Sequence, residues 1–95
     1  MYNIHIATQR KHQMRNIENV VDFADLCIFA QEIGVAHYNA AHSILDKDFY
    51  PSSDMGPSIE LYKGEVAQYT DDTQAIEILT KFMESKNVEF INITA

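Results

Sequence analysis

Four histidines and a single cysteine are the residues whose chemistry could define a site, and their spacing speaks against one. His5, His12, His37 and His42 are the only imidazoles. The closest pair, His37 and His42, is five apart, which on a helix turns one ring about 140° from the other. Two histidines that share a metal ion on a helix sit four apart, on one face. Cys27 falls on an apolar helical stripe near Asp25 with no base beside it, so it reads as a small buried hydrophobe rather than a reactive thiolate. Ser52, Ser53 and Asp54 sit where such residues make local turn hydrogen bonds, and Gly34, Gly56 and Gly64 are too few to cradle a phosphate. General acid–base chemistry would need His12 to converge with His37 or His42 and a carboxylate. No catalytic residue, metal ligand or cofactor motif emerges, and the chain reads as non-enzymatic.

The charge distribution is more informative than any one residue. Residues 1–15 hold Arg10, Lys11 and Arg15 and no acid, whereas residues 16–95 hold four bases against fourteen acids. A body so acidic is repelled by anionic lipid and by nucleic-acid phosphate. The partner to expect is a protein with a basic surface, with no direct nucleic-acid or membrane contact. A lone cysteine cannot close an internal disulfide, no export signal is visible, and the longest apolar run is far below the roughly 18 residues that span a bilayer. A cytoplasmic location is the expectation.

Two acidic constellations are candidate contact surfaces. Glu18, Asp22, Asp25 and Glu32 recur at spacings of four, three and seven, with Phe29 in the gap. On one long helix they would form a carboxylate ridge with an aromatic anchor. Residues 16–46 contain no Lys or Arg to neutralise it. Glu60, Glu65, Asp71 and Asp72 form the second set, with Tyr62 and Tyr69 expected on the outer face of a hairpin, where exposed tyrosines point to a homodimer. Asp71 and Asp72 also precede a helix, where carboxylates cap free N–H groups.

The elements that must position these residues follow from periodicity. Tyr2-Asn3-Ile4-His5-Ile6 alternates as a first strand. Apolar positions from Ile17 to Ile28 predict a helix over 16–33 that Gly34 stops, and a shorter helix follows over 35–46. Residues 48–57 concentrate Pro, Ser, Asp and Gly as a loop does. Residues 58–62 and 65–69 predict a hairpin about Lys63-Gly64, with Leu61 and Val66 paired on its inner face. A helix then runs to Lys86, and residues 88–93 make the last strand. The whole is one domain, residues 1–95, of α+β class: a ferredoxin-like βα(α)ββαβ chain with an antiparallel sheet and helices on one face.

The run Gly56-Pro57-Ser58-Ile59-Glu60-Leu61-Tyr62-Lys63-Gly64-Glu65-Val66, followed by a helix, resembles the C-terminal half of thioredoxin-fold proteins, in which a proline precedes a strand hairpin and a closing helix. The resemblance covers about a third of the chain and implies a thioredoxin-like alternative fold. Arg10-Lys11-His12 stands where that family carries Cys-x-x-Cys, so the resemblance implies no redox chemistry and a structural role for Pro57.

Together these features describe a small acidic protein-binding module or inhibitor that blocks a basic site, with imitation of DNA phosphate as its extreme form. The alternative is a ferredoxin-like or thioredoxin-like domain for assembly or for a small ligand, in a cavity lined by Tyr38, His42 and Tyr50.

Overall fold

The computed structural model describes residues 19–51 and 58–95. Its elements are β1 (Val20–Asp22), α1 (Phe23–Glu32), α2 (Tyr38–Phe49), β2 (Ser58–Tyr62), a 3-10 turn (Lys63–Glu65), α3 (Val66–Tyr69), α4 (Thr73–Lys86) and β3 (Phe90–Thr94). They form a small α+β fold of four helices and a three-stranded mixed sheet in the order β1-β3-β2. β1 runs parallel to β3, with Val20 opposite Asn92, whereas β2 runs antiparallel to it, with Glu60 opposite the same Asn92. The expected antiparallel sheet is thereby corrected. β3 inserts between the other two strands, and the helices that separate it from β1 supply the long crossover that parallel pairing requires.

The expected hairpin of residues 58–62 with 65–69 does not form. Leu61 pairs with Ile91 rather than with Val66, and the chain coils after Tyr62 into the 3-10 turn and α3. A tight hairpin needs φ > 0 in its turn, and among the described glycines only Gly34 has it. Instead the Lys63 N–H donates to the Glu89 carbonyl at 2.8 Å, which prolongs pairing to β3 past the end of β2. The ferredoxin-like order thus loses its central hairpin, and so does the thioredoxin-like alternative, whose closing helix is here followed by β3. Pro57 and the first strand over 2–6 lie outside the described residues.

The first helix is shorter than its apolar spacing predicts. Val20–Asp22 is extended, turning Val21 inward at 2% exposure and leaving Val20 at 43%. Adjacent β-branched residues fit a strand, and the Asn19 side chain ties the entry by donating to the Phe90 carbonyl at 2.7 Å. At its far end α1 stops where Gly34 predicts. Gly34 takes φ +76°, its N–H reaches the Gln31 carbonyl, and the Val35 N–H reaches Ala30, a pair of bonds that satisfies two orphan carbonyls. α2 starts later than expected, at Tyr38, after His37 Nδ1 accepts the Ala40 N–H at 3.3 Å, and runs on to Phe49, so that Asp48 is helical. α4 matches its prediction: the Asp72 carboxylate accepts N–H bonds from Gln74 and Ala75, and Asn87 closes the helix at φ 57°. The last strand is displaced slightly, to Phe90–Thr94.

Register and strand alternation assign the sheet's two faces. Val21, Ile59, Leu61, Ile91 and Ile93 face the core, where they meet Leu26, Cys27, Leu45, Ile78 and Met83 from the helices. Val20, Asp22, Glu60, Tyr62, Phe90, Asn92 and Thr94 share the outer face. No helix of the described residues is long and apolar enough to cross a membrane.

Candidate functional site

The ridge expected on the first helix is dispersed. Glu18 lies outside the described residues. Asp22 ends β1, where its Oδ1 accepts a hydrogen bond from Thr94 Oγ1 at 3.0 Å, so it belongs to the sheet and not to a helical face. Only Asp25 and Glu32 stand exposed on α1, two turns apart. Phe29 is not the solvent-facing anchor between them. It is half-buried, meets Phe82 of α4 edge-to-face with ring centroids 5.2 Å apart, and packs against the core. The exposed apolar residue in that gap is Ile28, 46% accessible, which the periodicity assigned to the buried stripe.

The second acidic set also separates. Glu65 is half-buried in the 3-10 turn, Asp72 caps α4, and Asp71 is exposed before it. Tyr62 belongs to β2, lies on Phe90 at 5.2 Å between ring centroids, and donates its hydroxyl to Glu60 Oε2 at 3.5 Å. Tyr69 belongs to α3 and is 52% exposed. The two tyrosines therefore do not alternate along one strand, and the shared hairpin face from which a homodimer was expected is replaced by two separate positions.

What the fold does assemble is a recess of about 160 Å³ lined by Asp48, Phe49, Ile59, Glu60, Leu61 and Tyr69. Three segments meet there. The last turn of α2 brings Asp48 and Phe49, β2 brings Ile59, Glu60 and Leu61, and α3 turns Tyr69 back towards the strand. The floor is apolar, since Phe49 and Leu61 are buried and Ile59 packs on the core, and Asp48 and Glu60 complete the lining, with the Glu60 side chain on the sheet's outer face, where its Oε2 accepts the Tyr62 hydroxyl. Sequence reasoning identified Glu60 and Tyr69 but missed Asp48, Phe49, Ile59 and Leu61. Its only available signal was the apolar alternation of Ile59 and Leu61 beside the acid between them.

Charge neutralisation is sparse. The described residues include twelve acids and four lysines, and only two ion pairs form among them, Lys63 with Glu89 at 4.0 Å and Lys81 with Glu77 at 3.5 Å. Exposed pairs of this kind contribute about 0–1 kcal/mol. Neither touches the recess.

Tyr38, His42 and Tyr50 come together as expected, but around a fourth ring. Phe23 meets His42 at 5.0 Å and Tyr50 at 4.9 Å between centroids, both edge-to-face, while Tyr38 and Tyr50 lie 6.5 and 6.3 Å from His42. These separations are those of rings packed on one another, and the recess lies elsewhere. Cys27 has no solvent exposure, and burial raises its thiol above the ordinary value, the opposite of nucleophile activation. Among the described residues no three His, Cys, Asp or Glu side chains are grouped so as to hold a metal ion. No protein-family model, curated protein or solved structure matches the chain.

Proposed function

We propose that the chain is a small, non-enzymatic protein-binding module that engages a basic partner through its carboxylates and so blocks the partner's basic site. The observation that carries this reading is the scarcity of internal neutralisation: two of twelve described acids have a cation within 4.0 Å among the described residues. A surface that leaves its charges unpaired speeds encounter with an oppositely charged partner and selects against acidic ones. The dispersal of the α1 ridge supports a contact at the carboxylates near β2 rather than on that helix. Imitation of nucleic-acid phosphate is the extreme form of the same behaviour.

The reading is tested with two labelled peptides of equal length, oligolysine and oligoglutamate, titrated with the full chain and followed by fluorescence anisotropy. Oligolysine should bind at low salt and be released at about 1 M salt, where the Debye length falls to about 3 Å. Equal behaviour of the two peptides removes the proposal. Displacement of a basic DNA-binding protein from DNA by the chain would support the phosphate-imitating form.

A further inference from the structure

The recess lies along the strand of the sheet whose outer edge has no partner among the described residues. β2 is terminal in the order β1-β3-β2, and its ladder runs only to β3. The bond from the Lys63 N–H to the Glu89 carbonyl extends that register. In an antiparallel pair, alternate residues turn both backbone groups towards the neighbour. Lys63, Leu61 and Ile59 are the ones that turn towards β3, so the N–H and C=O of Glu60 and Tyr62 point to the edge that has no partner among the described residues. Unpaired edge groups are a template for an added strand.

The side chains around that edge define what such a strand must carry. Ile59 and Leu61 face inward and, with Phe49 and Tyr69, line the recess at the place where an added strand's inward side chain falls. That residue must be apolar. The next residue along the added strand points to the opposite face, beside the Glu60 carboxylate, and Asp48, an exposed acid at the end of α2, is among the residues that line the recess. Neither acid has a cation within 4.0 Å among the described residues. A second copy of this chain would bring its own Glu60 to the same edge, and like charges placed directly opposite across strands are destabilising.

We propose that an extended segment of a partner protein, with alternating apolar and Lys or Arg residues, adds as a strand to the edge of β2 that has no partner among the described residues and seats an apolar side chain in the recess. This deepens the protein-binding reading above and rests on it. Backbone bonds from Glu60 and Tyr62 give affinity for any extended chain. The recess and the two carboxylates select the alternating basic one.

The test uses the full chain, isotopically labelled, and a synthetic peptide of alternating valine and lysine. Two derivatives carry N-methyl groups either on every valine or on every lysine. Amide shifts should concentrate on residues 58–62. In a strand, alternate N–H groups point to one side, so one methylation pattern should weaken binding by about tenfold or more through lost backbone bonds, and the other should leave it nearly unchanged. Glu60→Lys and Asp48→Lys should weaken the parent peptide, and Asp25→Lys on α1 should not. Equal binding of both methylated forms, or shifts spread over other surfaces, overturns strand addition while leaving the charge-driven reading standing. Concentration-dependent self-association abolished by a blocked β2 edge assigns the edge to a second copy and overturns the proposal. Failure of this peptide and of oligolysine alike removes both readings.

Discussion

The carboxylates of α1 and those beside β2 carry the same charge over different ground. Asp25 and Glu32 stand on a convex helix whose underside is packed solid: Cys27, Leu26 and Ala30 have no exposed surface, and Phe29 leans on Phe82. Asp48 and Glu60 instead border a recess, beside a strand whose outer backbone groups have no partner among the described residues. The α1 face offers a partner charge, worth little once screened, and the one exposed apolar side chain of Ile28. The β2 edge adds apolar burial and directional bonds. Spacing of acids along a chain therefore locates charge, and the concavity that makes charge useful depends on segments brought together from elsewhere.

The largest expected effect comes from breaking the α1 side of this comparison. Phe29→Ala should destabilise the fold by about 2–4 kcal/mol, since it removes a packed aromatic and its edge-to-face contact with Phe82. Urea denaturation followed by circular dichroism measures it. A change below about 1 kcal/mol would restore Phe29 as a surface anchor.

Cys27 examines the same packing through pH. Burial raises its thiol above the ordinary 9.0, so around and above that value the unfolded chain gives up a proton that the folded chain retains. The folded state then binds more protons than the unfolded state, and stability falls as pH rises, by at most about 1.4 kcal/mol per pH unit. Below the unfolded thiol's value the contribution is constant. Cys27→Ala should flatten the alkaline part of the stability profile relative to the parent. Native labelling by a thiol reagent should be slow and accelerate only on unfolding, and fast native labelling with a thiolate-like pH profile would contradict the buried assignment.

Within the second region, Asp72 separates a structural acid from the docking ones. Its carboxylate accepts the N–H groups of Gln74 and Ala75 at 2.9 and 3.3 Å. Asp72→Ala should cost about 1 kcal/mol of stability, with Asp72→Asn recovering most of it. Peptide affinity should be unchanged in both, and a loss of affinity in folded Asp72→Ala would enlarge the docking surface to the start of α4.

Which of these features sequence could reveal depends on how far apart their causes lie. The C-terminal end of α1 and both ends of α4 are readable because Gly34, Asp72 and Asn87 act on backbone groups within five residues of themselves. Val20–Asp22 was misread because its apolar spacing satisfies a helix equally well, and what makes it a strand is β3, about seventy residues away. The same distant strand undid the hairpin: by pairing with Leu61 and accepting the Lys63 N–H on its approach, it replaced the local partner that Val66 was expected to be. Val66 is buried nonetheless, reaching the hydrophobic core from the helical turn that replaced the strand. Tyr38, His42 and Tyr50 were brought together by α2, as their positions on and beside one helix allow, but Phe23, which fills the space between them, follows directly from the misassigned strand. The recess draws on three segments with no common periodicity, so sequence points to Glu60 and Tyr69 and not to Asp48, which is also exposed but lies on another segment.

The smallest expected effect on stability sharpens the comparison most. Asp25 and Glu32 on one side, Asp48 and Glu60 on the other, are exposed, and the double reversals Asp25→Lys with Glu32→Lys and Asp48→Lys with Glu60→Lys should each change stability by no more than about 0.5 kcal/mol per site. Both remove four units of negative charge, so any effect of net charge on the encounter rate with a basic peptide should be the same for the two variants. Dissociation should distinguish them. Loss of a rim charge on a plain convex face acts mainly through association, whereas reversing carboxylates beside a seated side chain and an added strand should also speed release. Surface plasmon resonance with the alternating valine–lysine peptide, run at low and high salt, resolves the two rates. If the dissociation rates of the two variants coincide, β2 has no advantage over α1 and the contact is charge alone; if the α1 variant releases faster, Ile28 and its flanking acids are the contact, and the recess is a packing imperfection beside the strand.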